Sequence, residues 1–221
     1  RRHIWLTESN GAKPKPRQFT FGAKSDMSPR WSPDGKTLAF VSARDGKPQI
    51  YLIGLAGGEA RPLTSLPNGA TNPVWSPDGK RMAFLSSVNA EERRREDAGK
   101  EDSPPASALD AKHKQEREEE KEKKKTDPRI ITRLPYRTGT AFMDDRHSHI
   151  YVMDVAGEEG KPRKPRRLTD GEMDFGDIAW TKDGRFIISS QSRTPAYAPW
   201  EHGSLIRLLA VGKRRPFRYL T

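Results

Sequence analysis

The chain repeats a five-residue turn, and this repeat constrains its fold more than any other feature. "WSPDG" occurs at residues 31–35 and 75–79, and the similar "WTKDG" occurs at residues 180–184. Proline presets φ for a turn, aspartate can hydrogen-bond the neighbouring backbone, and glycine adopts positive φ at little cost. Apolar runs such as "KTLAFVS" and "KRMAFLSS" follow the turns. The repeat therefore predicts a series of β-hairpins.

The spacing of the tryptophans in these turns predicts the size of the repeated unit. Trp31 and Trp75 are 44 residues apart, whereas Trp75 and Trp180 are 105 residues apart. The longer spacing contains residues 89–128, a segment of charge, proline and alanine that interrupts the second unit. A strand-rich period of about 40–50 residues is typical of a β-propeller with one four-stranded blade per repeat. We expect these tryptophans to pack between blades and the turn aspartates (Asp34, Asp78 and Asp183) to shape the hairpins.

The predicted fold class is all-β, a partial β-propeller of about three and a half four-stranded blades, which is half of a seven-bladed ring. The whole chain, residues 1–221, forms this one propeller domain in our interpretation. The predicted parts are the end of a preceding blade (1–22), a first blade (27–66), a second blade (71–88 with 129–170), a charged flexible insert in that blade (89–128) and a third blade (177–221). Because blades bury apolar faces against both neighbours, an arc leaves two such faces open. We therefore expect more of the same protein, or another chain, to complete the ring; the absence of an initiator methionine also suggests a preceding segment.

The composition argues against several classes of partner. The chain is 33% hydrophobic and 32% charged, has a net charge of +11 and contains no cysteine. Disulfides and thiolate metal sites are therefore excluded, and a reducing, cytoplasmic compartment fits. No apolar run approaches the roughly 18 residues of a membrane span. The excess positive charge is spread over turns without a base-stacking platform, so we predict neither a nucleic-acid nor a membrane partner.

No catalytic motif stands out, and we predict no catalytic residue, metal or cofactor in this chain. There is no P-loop, no G-x-S-x-G elbow and no H-E-x-x-H. His147 and His149 share a strand face near Asp144 and Asp145, but no third ligand completes a metal site. The residue types of a nucleophilic triad occur at Asp144, His147 and Ser148, yet a triad draws its members from separate segments.

The stretch "RIITRLPYRTGTAFMDDR" lies outside the repeat and follows the insert. Arginine forks bind carboxylates through two parallel hydrogen bonds, and a non-repeating basic and aromatic element on a repeating scaffold favours ligand contact. The candidate substrate-binding residues are therefore Arg133, Tyr136, Arg137 and Arg146. The alternative is an irregular strand with solvated arginines.

The repeats "W-S-P-D-G-[KR]-x-h-A-F", where h is apolar, resemble the propeller units of two groups. One is the prolyl oligopeptidase family of serine peptidases, and the other is the TolB-like periplasmic propellers. The order of parts in the second unit is similar to the acylaminoacyl-peptidase and dipeptidyl-peptidase-like branch of the first group. The parts are "WSPDGKRMAFLSS", the charged insert, "IITRLPYRTGTAFMDDRHSHIYVMDV" and "RRLTDGEMDFGDIAW". The resemblance implies a non-catalytic propeller that covers an α/β-hydrolase domain located outside this chain. That domain would carry a Ser–Asp–His triad, and the whole protein would hydrolyse short peptides.

Several expectations depend on this resemblance. The propeller would restrict access to the nucleophile, the chain alone would be inactive, and the partners would be a peptide substrate and the hydrolase domain, with a homo-oligomer possible. The alternative is a TolB-like module that binds protein partners and performs no chemistry. A propeller enzyme for small molecules, such as a lactonase, would need carboxylates and histidines converging on the ring axis, and the sequence offers no convincing set.

Overall fold

The computed structural model describes residues 1–8, 15–99, 137–138, 141–142, 145–155, 164–192, 204–212 and 218–219. These ranges contain three antiparallel four-stranded sheets, in which each strand pairs with the next along the sheet. The first sheet consists of β3 (Asp26–Trp31), β4 (Thr37–Ser42), β5 (Gln49–Gly54) and β6 (Arg61–Pro62). The second consists of β7 (Thr71–Trp75), β8 (Arg81–Val88), β11 (His147–Asp154) and β12 (Arg166–Arg167). The third consists of β13 (Phe175–Trp180), β14 (Phe186–Ser192), β15 (Ser204–Ala210) and β16 (Arg218–Tyr219).

Two strand pairs and one helix complete the described elements. The strand β1 (Trp5–Leu6) pairs with β2 (Arg17–Gln18) before the first sheet. The helix α1 (Ala90–Asp97) follows β8, and the pair β9 (Arg137–Thr138) and β10 (Ala141–Phe142) precedes β11. The all-β, partial β-propeller fold predicted from the sequence is confirmed. Within the described ranges, no helix has the length and apolar character of a membrane-spanning segment.

The repeated turn folds as its residues predict. In the first sheet the Ser32 hydroxyl donates to the Asp34 carboxylate at 2.5 Å, and the same carboxylate accepts the Lys36 N–H at 3.1 Å. The Ser32 oxygen in turn accepts the Thr37 N–H at 2.9 Å, and Gly35 has a φ of +68°. The turns at 76–81 and 181–186 form the same bonds. These contacts close the β3–β4, β7–β8 and β13–β14 hairpins.

A buried threonine fastens the outer strand to the third strand in the first and second sheets, and Thr20 makes the same bond before the first sheet. It follows an apolar residue in the "FT" or "LT" dipeptide after strand four, and its hydroxyl oxygen accepts a backbone N–H from an isoleucine of strand three. The three pairs are Thr20 with Ile4 at 3.0 Å, Thr64 with Ile50 at 2.9 Å, and Thr169 with Ile150 at 3.0 Å. Thr20 and Ile4 thus form the same bond that joins the last two strands of the first and second sheets.

The core lies between the sheets rather than within one sheet. Apolar residues of the first and second sheets form one buried cluster, and those of the second and third form another. On the other side of the first sheet, Ile4 and Phe19, which flank β1 and β2, pack against its apolar residues. The indole N–H of Trp75 donates to the carbonyl of Arg30, and that of Trp180 donates to the carbonyl of Val74, both at 3.1 Å. The prediction that the tryptophans join neighbouring blades is confirmed for these two, whereas Trp31 is 51% exposed.

The innermost strand of each sheet contains a bulge at one repeated position. Ser28, Asn72 and Asp177 each lie three residues before the tryptophan and have φ values of 52°, 50° and 37°. The strand register shifts at the same places. A bulge bends a strand and increases its twist, so the three units curve alike.

The alternating strand directions give the arc two faces. The turns at 32–36, 76–80 and 181–185 lie on one, which we call the turn face. The β4–β5 and β8–β11 connections lie on the other, which we call the helix face because α1 begins there.

Candidate functional site

The helix α1 begins with a capping box that satisfies its first backbone N–H groups. The side chain of Asn89 accepts the N–H of Glu92 at 2.9 Å, and the Glu92 carboxylate accepts the N–H of Asn89 at 2.9 Å. This reciprocal pattern is a strong helix start. The helix is charged on all sides, so an apolar face does not hold it to the sheet.

Charged contacts to the helix face hold α1 in place instead. Arg93 is buried, with its Nε 3.1 Å from an Asp170 carboxylate oxygen and its Nη1 3.4 Å from Nε2 of His149. Asp170 belongs to the loop between β12 and β13. Although burial alone would raise the pKa of Asp170, the Gly171 N–H and the two arginines beside it lower that pKa. Arg93 thereby links the helix to both β11 and the loop between β12 and β13.

Arg167 of β12 makes a second set of contacts to the end of the helix. Its Nε lies 3.0 Å from the Glu96 carboxylate, its Nη2 lies 3.0 Å from that of Asp97, and its Nη1 lies 3.1 Å from that of Asp170. Burial opposes its charge, but the hydrogen bond to Glu96 and the nearby carboxylates raise the pKa of Arg167. The Arg167 side chain, which is 7% exposed, thus contacts three carboxylates.

These contacts correct one expectation about the insert. The sequence predicts that residues 89–128 are mobile or form a lone solvated helix held by i,i+4 ion pairs, whereas residues 90–97 form a helix tied to the second sheet. The sequence-based interpretation missed this because the partners lie about seventy residues further along the chain. The capping pattern "NAEE" was the available signal. The remainder of the predicted insert, residues 100–128, lies outside the described residues.

The helix takes the place of a turn found in the first sheet. There the hydroxyl of Tyr51 donates to Asp45 in the β4–β5 turn at 2.5 Å, and burial, then Asp45, raises the pKa of Tyr51 to about 12. At the same position of β11, the hydroxyl of Tyr151 donates to Glu96 of α1 at 2.9 Å, and burial, then Glu96, raises the pKa of Tyr151. Both connections therefore supply a carboxylate to the tyrosine of strand three.

His149 is buried at the centre of this cluster. Its Nδ1 lies 3.0 Å from the Thr169 hydroxyl oxygen, and its ring lies against Phe175. Burial, together with Arg93 and then Arg167, lowers the pKa of His149 to about 4. The imidazole is therefore neutral near pH 7 and packs beside a permanent cation. Because that cation occupies the Nε2 side, the geometry supports a structural role for His149.

His147, the other histidine of the strand, approaches a carboxylate. Its Nδ1 lies 3.5 Å from the carboxylate of Asp174, which also accepts the N–H of Ser148 at 2.8 Å. Across the described ranges, no three histidine or acidic side chains converge as a metal site would need. Asp144, which completed the triad residue types in the sequence, lies outside the described residues.

Only one of the predicted substrate-binding side chains can be placed. Arg146 is half-buried and forms a fork to Glu92, with Nη2 2.8 Å from Oε1 and Nε 3.2 Å from Oε2. Arg137 lies in β9, where its backbone pairs with Phe142, and nothing is described of its side chain. Arg133 and Tyr136 lie outside the described residues. The role of these four residues in substrate binding stays a prediction.

Asn68 reinforces the Glu92–Arg146 pair. The amide of Asn68 donates to the same carboxylate at 3.0 Å. Burial would raise the pKa of Glu92, but Arg146, the backbone of Asn89 and Asn68 lower it, so the carboxylate is charged near neutral pH. An arginine that already holds a side-chain carboxylate with this geometry has the chemistry to hold a substrate carboxylate after exchange.

The sheets, their repeated turns and the indole bonds between them define the chain as part of a β-propeller. The family model described as the TolB β-propeller domain matches residues 2–103. A Bacillus subtilis protein named as the uncharacterized peptidase YuxL is 31% identical over 196 residues, which cover 87% of this chain and 25% of that protein. The chain thus spans about a quarter of the length of this relative.

Solved structures show the same fold. TolB from Acinetobacter baumannii aligns with a TM-score of 0.57 and 21% identity, over 99% of this chain and 37% of that one. An acylaminoacyl peptidase from Pyrococcus horikoshii aligns with a TM-score of 0.56 and 17% identity, over 98% of this chain and 27% of that one. The chain resembles the propeller portion of the prolyl oligopeptidase family of serine peptidases, and the comparisons confirm the resemblance stated from the motifs.

Proposed function

We propose that this chain is the non-catalytic propeller portion of a serine peptidase that hydrolyses short peptides. The observation that carries the proposal is the 31% identity to a protein named as a peptidase over 87% of this chain. The nucleophile belongs to an α/β-hydrolase domain outside these residues. The propeller limits access to it, because a ring of packed blades excludes bulky substrates by size. The compartment is the cytoplasm.

The helix face is the side of the propeller that meets the substrate in this proposal. The second-unit connection leaves β8 and enters β11 on this face, and its sequence contains Arg133, Tyr136, Arg137 and Arg146. The arginines pair with the terminal carboxylate of a peptide. Glu92 holds the Arg146 fork in the absence of substrate and yields it when a substrate carboxylate arrives.

The test uses the full-length protein and two peptides that differ only in a C-terminal carboxylate or amide. We expect Arg146→Ala to lower kcat/KM for the carboxylate peptide roughly tenfold or more, the scale of a charged hydrogen bond, and to spare the amide. Arg185→Ala is the control, because Arg185 is 73% exposed on the turn face beside Asp183. Equal losses on both peptides, or no loss, would remove Arg146 from the substrate site.

The catalytic part of the proposal has a separate test. A fluorophosphonate that labels reactive serines should label the full-length protein and leave residues 1–221 alone unlabelled. Cleavage of a short peptide, but not of the same sequence inside a folded protein, is expected if the propeller limits access.

A second candidate is a TolB-like module that binds other proteins without chemistry. The match of residues 2–103 to the TolB β-propeller model favours it. A full-length protein that neither reacts with the fluorophosphonate nor cleaves peptides would support this candidate over the peptidase.

A further inference from the structure

Four hydrogen-bond donors converge on the carboxylate of Glu92. Arg146 provides two of them, with Nη2 2.8 Å from Oε1 and Nε 3.2 Å from Oε2. The amide of Asn68 and the N–H of Asn89 donate to Oε2 at 3.0 and 2.9 Å. Asn89 belongs to the helix start, whereas Arg146 lies before β11 and Asn68 lies in the β6–β7 loop. Arg146 and Asn68 therefore place three donors around a carboxylate that α1 supplies.

The loop that presents Asn68 is held by close contacts of its own. The side chain of Gln49 donates to the carbonyl of Leu66 at 2.7 Å. Gly69 has a φ of +84°, and a Cβ at this position would lie 2.8 Å from the carbonyl oxygen of Pro48, so only glycine permits the approach. The loop is thereby held against the start of β5, and it positions the Asn68 amide beside the second sheet.

The amide of Asn68 is a departure from the repeat. Counted from the buried threonine, Asn68 corresponds to Lys24 before the first sheet and to Met173 before the third. The propeller framework thus does not require an amide at this position. A non-repeating polar residue on a repeating scaffold is a candidate for ligand contact.

The helix α1 can release Glu92 without opening a hydrophobic core. It is charged on all sides and is held on the helix face by ion pairs through Arg93 and Arg167. The side chains of Glu92 and Arg146 are 28% and 33% exposed, so a ligand can reach the pair from solvent. The exchange of one carboxylate for another leaves the balance of charge around Arg146 unchanged.

We propose that Arg146 and Asn68 form one carboxylate-binding site that bridges the first and second units, and that Glu92 occupies this site as a built-in competitor of the ligand. The identity of the ligand, the C-terminal carboxylate of a short peptide, rests on the function proposed above. Asn68 is then a specificity-determining residue, because it donates the third hydrogen bond to the bound carboxylate. Glu92 lowers the apparent affinity of the site, since every ligand must displace it.

Titration calorimetry on the full-length protein, after treatment with a small fluorophosphonate, tests the competition without turnover. The probes are trialanine, its C-terminal amide, and the amide of Ala-Ala-Glu, which carries its carboxylate on a side chain. Glu92→Gln keeps the capping pattern, because glutamine also accepts the Asn89 N–H, but it removes the charge that holds Arg146. The Kd of trialanine should fall about three- to tenfold, the difference between a charged and a neutral hydrogen bond, and the Kd of both amides should stay unchanged.

The matched control is Glu91→Gln, because the Glu91 side chain is 69% exposed and pairs with Arg95 on the same helix. It should leave the Kd of trialanine within about twofold of that of the unmodified protein. An unchanged or higher Kd in Glu92→Gln, or an equal fall in Glu91→Gln, would overturn the competition. Tighter binding of the Ala-Ala-Glu amide than of trialanine would overturn the choice of a terminal carboxylate.

Asn68→Ala tests the other half of the proposal. The change weakens the hold on Glu92 and on the ligand alike, so by itself it should raise the Kd of trialanine by less than about twofold. In the Glu92→Gln background the same change should raise this Kd about three- to fivefold, because the competitor is already weakened. Equal effects in the two backgrounds, or none in the second, would remove Asn68 from the site. Because no turnover is measured, failure of these binding tests is distinguishable from a failure of fluorophosphonate labelling, which tests the peptidase assignment.

Discussion

His149 shows how one repeated position can acquire a new property. At the same place in the first sheet, Gln49 accepts a hydrogen bond from the Thr64 hydroxyl at 2.8 Å, while His149 contacts Thr169 at 3.0 Å. Either side chain fits beside the threonine, so the position tolerates exchange within the scaffold. The imidazole adds a group that titrates near neutral pH when it is exposed.

We predict that the stability of the second unit falls on mild acidification because of His149. Its pKa is lowered from 6.5 to about 4 in the folded protein, so the stabilisation is complete above pH 6.5 and is lost as the pH falls towards 4. The difference between the two pKa values corresponds to about 2 kcal/mol at pH 5. Protonation places a third positive charge beside Arg93 and Arg167, and Asp170 opposes this effect.

His149→Gln, which copies the first sheet, measures this loss. Amide exchange of β11 at pH 7.5 and pH 5 should differ much less in the variant than in the unmodified protein, after correction for the intrinsic pH dependence of exchange. The same change at His3, which is half-exposed in the preceding unit, is the control. An unchanged pH dependence in His149→Gln would show that other groups govern the acid response.

At the scale of elements, the sequence predicted those features that depend on residues close together in the chain. The "S-P-D-G" turns, the apolar strands after them and the inter-blade position of Trp75 and Trp180 follow from short stretches of chain. The docking of α1 does not, because its partners Arg167 and Asp170 are remote in sequence and the helix lacks an apolar face. The threonine bonds are marked in the sequence by the repeated "FT" and "LT" dipeptides.

We predict that Arg167 contributes most to holding α1 on the sheet. Arg167→Met removes the ion pairs to Glu96 and Asp97 of the helix and to Asp170 of the β12–β13 loop. Because these carboxylates are 37%, 46% and 67% exposed, each pair is worth up to about 1 kcal/mol. Amide exchange of residues 90–97 should accelerate at least tenfold, with little change in β8. The matched control is Arg95→Met, since among the described residues Arg95 pairs with Glu91 alone, one turn earlier, a contact worth about 0.3–0.5 kcal/mol. Equal acceleration in both variants would mean that the helix is held by other contacts.

At the scale of the whole molecule, stability depends on neighbouring sheets because each buried cluster joins two of them. Phe84 is fully buried, its ring is stacked on that of Tyr151, and it shares a cluster with Ala39, Ile50 and Leu52 of the first sheet. A defect at such a position should weaken both units at once, as expected for a linear array of repeats.

Phe84→Ala tests this coupling. We expect a loss of about 3–5 kcal/mol in the free energy of unfolding and faster amide exchange in β4 and β5 as well as in β8. Phe21→Ala removes the same group from a site that is 77% exposed and should change the free energy of unfolding by less than about 0.5 kcal/mol. A response confined to β8 would show that the sheets unfold separately.

The replacement of a short turn by α1 has a consequence for how such proteins diversify. The tyrosine of strand three needs one acidic neighbour, and Asp45 from a tight turn or Glu96 from a helix satisfies it equally well. The strands therefore only weakly constrain the length and structure of the segment that joins them at that edge. New segments can be inserted at this edge while the strands beneath it stay unchanged. The opposite edge differs, because all three described hairpins there close with the same side-chain bonds.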